Sequence, residues 1–134
     1  LLVSQETAYP WNGDIKLTVK ESSKNPFSFF LRIPGWASKA SIMVNGKALE
    51  TPATPGTYAE INRKWKKGDV ISLNIPMEAE LIAANPLVEE NRNQIAVKRG
   101  PVVYCAESVD MPQGTSVFSL TIPASAQFKA VPLQ

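Results

Sequence analysis

Histidine is absent from the 134 residues, and cysteine occurs once, as Cys105. Without an imidazole, neither a Ser-His-Asp nor a Cys-His nucleophile can be assembled, and every histidine metal site is excluded. One thiol can close no internal disulfide and build no thiolate zinc cage. Glycine is sparse, with 7 residues, and Gly46, Gly56, Gly68, Gly100 and Gly114 stand singly in turn contexts, so there is no glycine-rich phosphate loop. No apolar run approaches the ~20 residues of a membrane span. An excess of one charge is lacking too: 14 basic residues against 12 acidic give +2, too balanced for the clustered basic face that binds nucleic acid. The densest basic run, Arg63, Lys64, Lys66 and Lys67, is broken by Trp65 and reads as a solvated turn. The chain opens on Leu1-Leu2-Val3-Ser4, with neither an initiating methionine nor a basic-then-apolar leader. It is expected to be a piece of a larger protein, which leaves the compartment open.

What catalytic chemistry remains is carboxylate chemistry, because glycoside hydrolysis can run on two acids alone. The candidate pairs are Glu78 with Glu80 and Glu89 with Glu90. Glu78 and Glu80 are two residues apart, so on a strand they share one face. A solvated strand edge accounts for them equally, and no catalytic residue, metal ligand or cofactor is assigned. Cys105, inside the apolar run Pro101-Val102-Val103-Tyr104-Cys105-Ala106, is expected to be a buried structural thiol.

Proline is abundant, with 11 residues, which disfavours long helices because each ring removes a donor and clashes one turn back. Hydrophobic residues make up 44% and charged residues 19%, an ordinary globular mixture. The pattern along the chain has a period of two. Ile15, Leu17 and Val19 alternate with polar residues over Asp14–Lys20, predicting a half-buried strand. Over Phe27–Ile33 the residues Phe27, Phe29, Leu31 and Ile33 face inward, with Phe30 and Arg32 on the opposite face. Asn45-Gly46 predicts a hairpin, since both residues tolerate positive φ. Further strands are expected over Thr57–Asn62, Val70–Ile75, Glu78–Ala83, Gln94–Arg99, Val102–Glu107 and Val117–Ile122, with Leu87–Asn93 as a connection and Pro123–Gln134 as a tail. Gly100-Pro101 predicts a bulge or an edge between two strand halves.

About nine short strands at this spacing predict an all-β fold, an antiparallel β-sandwich of jelly-roll type. Residues 1–110 are read as one accessory sandwich, and 111–134 as a linker plus a terminal strand that completes the same sandwich or starts the next domain. The residues suited to contact with a sugar or a neighbouring domain are Trp36, Arg32, Tyr58 and Trp11. Aromatic faces stack on the C–H side of a sugar ring, while Arg32 or Asn62 could bond its hydroxyls. Trp36, just past Pro34-Gly35, is expected to project outward; Trp65 is expected to pack on the rim of the core.

The motifs Tyr9-Pro10-Trp11, Leu31-Arg32-Ile33-Pro34-Gly35-Trp36-Ala37, Val44-Asn45-Gly46, Trp65-Lys66-Lys67-Gly68-Asp69, Ile75-Pro76-Met77 and Arg99-Gly100-Pro101-Val102-Val103-Tyr104 follow one another in this order. Together they resemble the non-catalytic β-sandwich region of the β-L-arabinofuranosidase family, glycoside hydrolase family 127, formerly a domain of unknown function. The resemblance runs from Thr7 to Glu107. It implies a parent glycoside hydrolase whose α/α barrel, on the same chain, carries a cysteine nucleophile, an acid/base glutamate and a zinc site. None of those positions maps here, and Cys105 lies in the wrong segment for the nucleophile. This chain is therefore expected to be a non-enzymatic accessory domain that supports the barrel or an oligomer contact such as a homodimer. The alternatives are a carbohydrate-binding module for a plant-type glycan and an unrelated adhesion sandwich.

Overall fold

The computed structural model describes residues 1–131. Ten strands are present among them, and every pairing is antiparallel. The fold is all-β, with three single-turn 3₁₀ segments among the described residues. It divides into two compact units, Leu1–Met77 and Glu78–Gln134. The boundary expected at residue 110 therefore lies elsewhere. The core of the first unit closes with Ile75, proline follows at once, and the next strand pairs only within the second unit.

The first unit contains β1 (Leu2–Thr7), β2 (Asp14–Glu21), β3 (Phe27–Arg32), β4 (Ser41–Val44), β5 (Lys47–Ala48), β6 (Tyr58–Arg63) and β7 (Val70–Asn74). Five of them form a sheet in the order β1-β2-β7-β4-β5, and β3 with β6 forms a two-stranded ribbon. Alternation decides which face each strand buries. From the sheet come Val19, Ile42, Val44, Ile71 and Leu73; from the ribbon, Leu31, Ala59 and Ile61. All belong to one hydrophobic cluster, with Ile33, Ala37, Trp65 and Ile75. Two antiparallel sheets thus share one core, an arrangement compatible with the expected sandwich. Each fully buried aliphatic side chain stabilises the fold by roughly 1.5–3 kcal/mol.

Trp65 sits inside this cluster at 2% exposure, not on its rim. Its indole N–H donates to the Phe27 carbonyl at 3.0 Å, and its ring meets Phe29 edge-on, centroids 4.8 Å apart. The hairpin turn forms where Asn45-Gly46 stands, with φ of 52° and 75°. Strand β1, which lacks alternation, is an edge strand paired only with β2, with an irregular register between Leu2 and Val3.

In the second unit, β8 (Ala79–Ala83), β9 (Ile95–Arg99) and β10 (Val102–Tyr104) form a sheet in the order β10-β9-β8. Gly100-Pro101 is not a bulge, and the strand it leads into, β10, lies at the edge of the sheet. The dipeptide is the two-residue turn of a hairpin in which Val102 pairs with Arg99. Gly100 supplies the positive φ, 57°, that such a turn needs, and the fixed negative φ of proline suits the second place. The strand expected over Val117–Ile122 is absent. Val117–Ser119 is a 3₁₀ turn, because Ser116 accepts from the Phe118 amide through its hydroxyl and from the Ser119 amide through its carbonyl. Local serine bonds of this kind compete with a ladder. Of the expected tail, residues 132–134 lie outside the described residues.

Candidate functional site

The register of the ribbon pairs Ser28 with Asn62, Phe30 with Glu60 and Arg32 with Tyr58. Their neighbours Leu31, Ala59 and Ile61 point into the core, so these six share the opposite, solvent face. Two large aromatic rings stand on it, Phe30 at 60% and Tyr58 at 63% exposure.

Arg32 is fixed by its own strand end. One guanidinium nitrogen donates to the Ile33 carbonyl at 2.7 Å and to the Thr57 carbonyl at 3.0 Å, and the group lies 5.4 Å from the centre of the Tyr58 ring. At the other end of the face, Asn62 donates to the Ser28 hydroxyl at 2.7 Å, and that hydroxyl donates to Glu60 Oε1 at 2.6 Å. The face therefore carries an aromatic half held by a cation and a polar half already wired by hydrogen bonds.

The structure thus brings together Arg32 and Tyr58. It does not add the two tryptophans to them. Trp36 is half-buried and packs against the hydrophobic cluster, so it does not project outward as expected. It sits in the turn closed by the Ala37 amide donating to the Pro34 carbonyl at 3.0 Å, and this turn folds the ring back onto the core. Trp11 is 63% exposed, in the loop between β1 and β2, beside the five-stranded sheet rather than the ribbon. Phe30, Glu60 and Ser28 were not singled out by the sequence, although the outward parity of both strands marks them once β3 is known to pair with β6.

The other candidates fall elsewhere. Cys105 is exposed rather than buried, because β10 ends at Tyr104 and leaves the thiol beyond the ladder. Glu80 lies opposite Lys98 across the β8–β9 ladder, and Glu89 is paired with Arg92 at 3.3 Å on an exposed turn. No cluster of three metal-ligating side chains occurs among the described residues, and no helix among them is long and apolar enough to cross a membrane.

Asp69 is the one buried acid in the first unit. The Asn45 amide bond to its carboxylate, then the Lys66 backbone N–H, hold its pKa below the ordinary 3.8; burial opposes this, and the charges of Arg63 and Lys66 assist. Its partners tie two turns together, so this carboxylate serves the scaffold.

In the second unit an open apolar depression lies between the sheet and residues 117–131. Ile95, Val97, Tyr104, Phe118, Leu120 and Val131 are among its lining. No hydrophobic side chain of this unit is fully buried among the described residues, whereas Leu87, Val109 and Phe118 are 88%, 86% and 96% exposed.

Two family descriptions match the chain in tandem: β-L-arabinofuranosidase, GH127 middle domain, over residues 1–77, and glycoside hydrolase family 127 C-terminal domain, over residues 79–134. The junction coincides with the division into two units. A non-reducing end β-L-arabinofuranosidase of Bifidobacterium longum subsp. longum is 37% identical over 119 residues, covering 84% of this chain and 18% of that protein. A solved structure described as a glycoside hydrolase superposes with a TM-score of 0.81 at 48% identity, over 85% of this chain and 19% of its own. The crystal structure of a GH127 β-L-arabinofuranosidase from Geobacillus stearothermophilus T6 gives 0.73 at 42% identity, over 80% and 17%. The chain spans less than a fifth of the length of each of these relatives.

Proposed function

The chain belongs to glycoside hydrolase family 127, and from that membership we propose that its two units support the catalytic barrel of a β-L-arabinofuranosidase-like glycosidase. Middle and C-terminal domains are what the chain supplies. The hydrolytic chemistry belongs to the part of the parent that lies outside it.

The observation that carries the support role is the unburied apolar surface of the second unit. A unit that leaves Phe118 at 96% and Leu87 at 88% exposure has not removed its own apolar groups from water, and such surface marks a contact with other protein. The same surface favours one further reading, a contact between two copies of the parent.

Deletion of this chain from the full-length protein tests the proposal. Hydrolysis of an aryl β-L-arabinofuranoside should fall, the remaining barrel should lose melting temperature or aggregate, and adding the chain in trans should restore both. A barrel that keeps its kcat/KM and its melting temperature after the deletion would overturn the support role. A change in oligomeric mass alone, with both preserved, would favour the contact between copies.

A further inference from the structure

We infer that the outer face of the β3–β6 ribbon is a binding surface for a neutral glycan. The role goes beyond support of the barrel and does not depend on it.

The argument starts with the two rings. Phe30 and Tyr58 are diagonal neighbours across the ribbon, about 7–8 Å apart at the backbone, which leaves room for one sugar ring over the pair. Both are more than half exposed, at 60% and 63%. Burial does not explain aromatics there, because the opposite face of the ribbon already supplies Leu31, Ala59 and Ile61 to the core.

Arg32 makes the platform rigid. One guanidinium nitrogen is held by the Ile33 and Thr57 carbonyls, at 2.7 and 3.0 Å, while the group lies 5.4 Å from the Tyr58 centroid. A ring held this way has less conformational freedom to lose when a ligand stacks on it. The Glu60 carboxylate on the same face repels an anionic ligand, while the Arg32 donors that the two carbonyls leave unused can bond a hydroxyl as well as a charge.

The polar half supplies the complement. The Asn62–Ser28–Glu60 relay uses one carboxylate oxygen of Glu60. The second carboxylate oxygen and the Asn62 side-chain carbonyl have no partner among the described residues and can accept from hydroxyl donors. Arg32 and Glu60 cancel in charge, so the six residues offer stacking and acceptors with no net charge. A polyhydroxylated, uncharged ring answers both features. A protein partner would instead call for a continuous apolar centre with a polar rim, whereas here each ring stands opposite a charged residue, Phe30 across from Glu60 and Tyr58 across from Arg32.

The test is affinity electrophoresis of the full-length protein through gels containing soluble arabinan, arabinogalactan or galactomannan. Tyr58→Ala, Phe30→Ala and the control Met43→Ala, on the outer face of the other sheet, are run beside the wild type. At least one glycan should retard the wild type and the control. Each aromatic substitution should weaken that retention about tenfold or more in Kd, with the melting temperature unchanged. The inference is overturned if no glycan retards the wild type, or if retention survives both substitutions. It is equally overturned if the substitutions leave retention intact and instead alter oligomeric mass or protease resistance, which would make the face a protein contact. None of these outcomes bears on the deletion experiment for the support role.

Discussion

Asn45 and Asp69 clasp two turns that are 24 residues apart in the chain: the Asn45 amide donates to Asp69 Oδ1 at 2.9 Å, while Asn45 Oδ1 accepts from the Val70 backbone N–H at 2.8 Å. The second oxygen of Asp69 accepts from the Lys66 N–H at 2.8 Å, and Arg63 stands 3.9 Å away. The motifs Val44-Asn45-Gly46 and Lys67-Gly68-Asp69 are thereby one feature in space. It fixes the β4–β5 hairpin against the turn between β6 and β7, which also bonds to β2 through the Gly68 N–H and the Val19 carbonyl.

Replacement of Asp69 by Ala should cost about 1.5–3 kcal/mol, the range for hydrogen bonds to a charged group. The pH dependence has a defined sign. Because the folded pKa lies below 3.8, this stabilisation is fully present above the unfolded value and is lost as pH falls through the folded value. Urea melts from pH 7 to pH 2 should show the wild type losing part of its stability below about pH 4. Asp69→Asn should lack that part of the slope. Equal slopes in the two proteins would refute the assignment.

Trp65 is the residue on which the first core turns. Its ring touches Phe27 and Phe29, the Arg63 guanidinium lies 5.1 Å over its face, and its own carbonyl accepts from the Ser22 hydroxyl. Trp65→Ala should destabilise the unit by about 3–5 kcal/mol. Trp65→Phe keeps most of the packing but abandons the bond to the Phe27 carbonyl, and should cost about 1–2 kcal/mol. Chemical denaturation midpoints of the two variants measure the difference directly.

The three tryptophans occupy three grades of exposure, and quenching by acrylamide should report them in order. Trp11→Phe should remove the most readily quenched emission, since Trp11 is 63% exposed. Trp36→Phe should remove an intermediate component, from a ring packed on the cluster but not enclosed by it. The emission left in the double variant, from Trp65 alone, should be blue-shifted and almost unquenched. A Trp36 as accessible as Trp11 would restore the outward orientation expected from the sequence.

The inward faces of β2 and β3, and the strands β6 and β7, were legible because each alternates, and alternation is what a half-buried strand imposes. Strand β1 was illegible for the same reason: an edge strand with one partner has little to bury. The hairpin at Gly100-Pro101 was missed because the dipeptide admits either a break or a reversal, and only the pairing of Val102 with Arg99 separates them. Arg32 and Tyr58 were each visible as candidates, but their contact depends on the β3–β6 register, which no local pattern contains. Trp36 and Cys105 went astray together: side-chain direction just past a strand end depends on the turn that follows, and residue type says little about it.

Gly13 is a case where space, not backbone freedom, demands glycine. It is buried, and it is not among the residues of positive φ. Its carbonyl accepts from the Ile75 amide at 2.9 Å, which brings the two backbones together at the end of the β2–β7 ladder. A Cβ at this position would overlap the Ile75 carbonyl oxygen and come within 2.7 Å of its carbon. Backbone cannot rotate aside as a flexible side chain would. Gly13→Ala must therefore push Ile75, a residue at 2% exposure, out of its place and lengthen the bond beside it. The overpacking costs about 1–3 kcal/mol, and the weakened hydrogen bond adds about 1. The melting temperature should fall, and hydrogen exchange at the Ile75 amide should quicken more than at Val44 in the neighbouring strand. Gly35→Ala, where an added Cβ meets nothing within 4 Å, provides the contrast and should change neither. If Gly13→Ala and Gly35→Ala behaved alike, the close approach of residues 13 and 75 would not exist in solution.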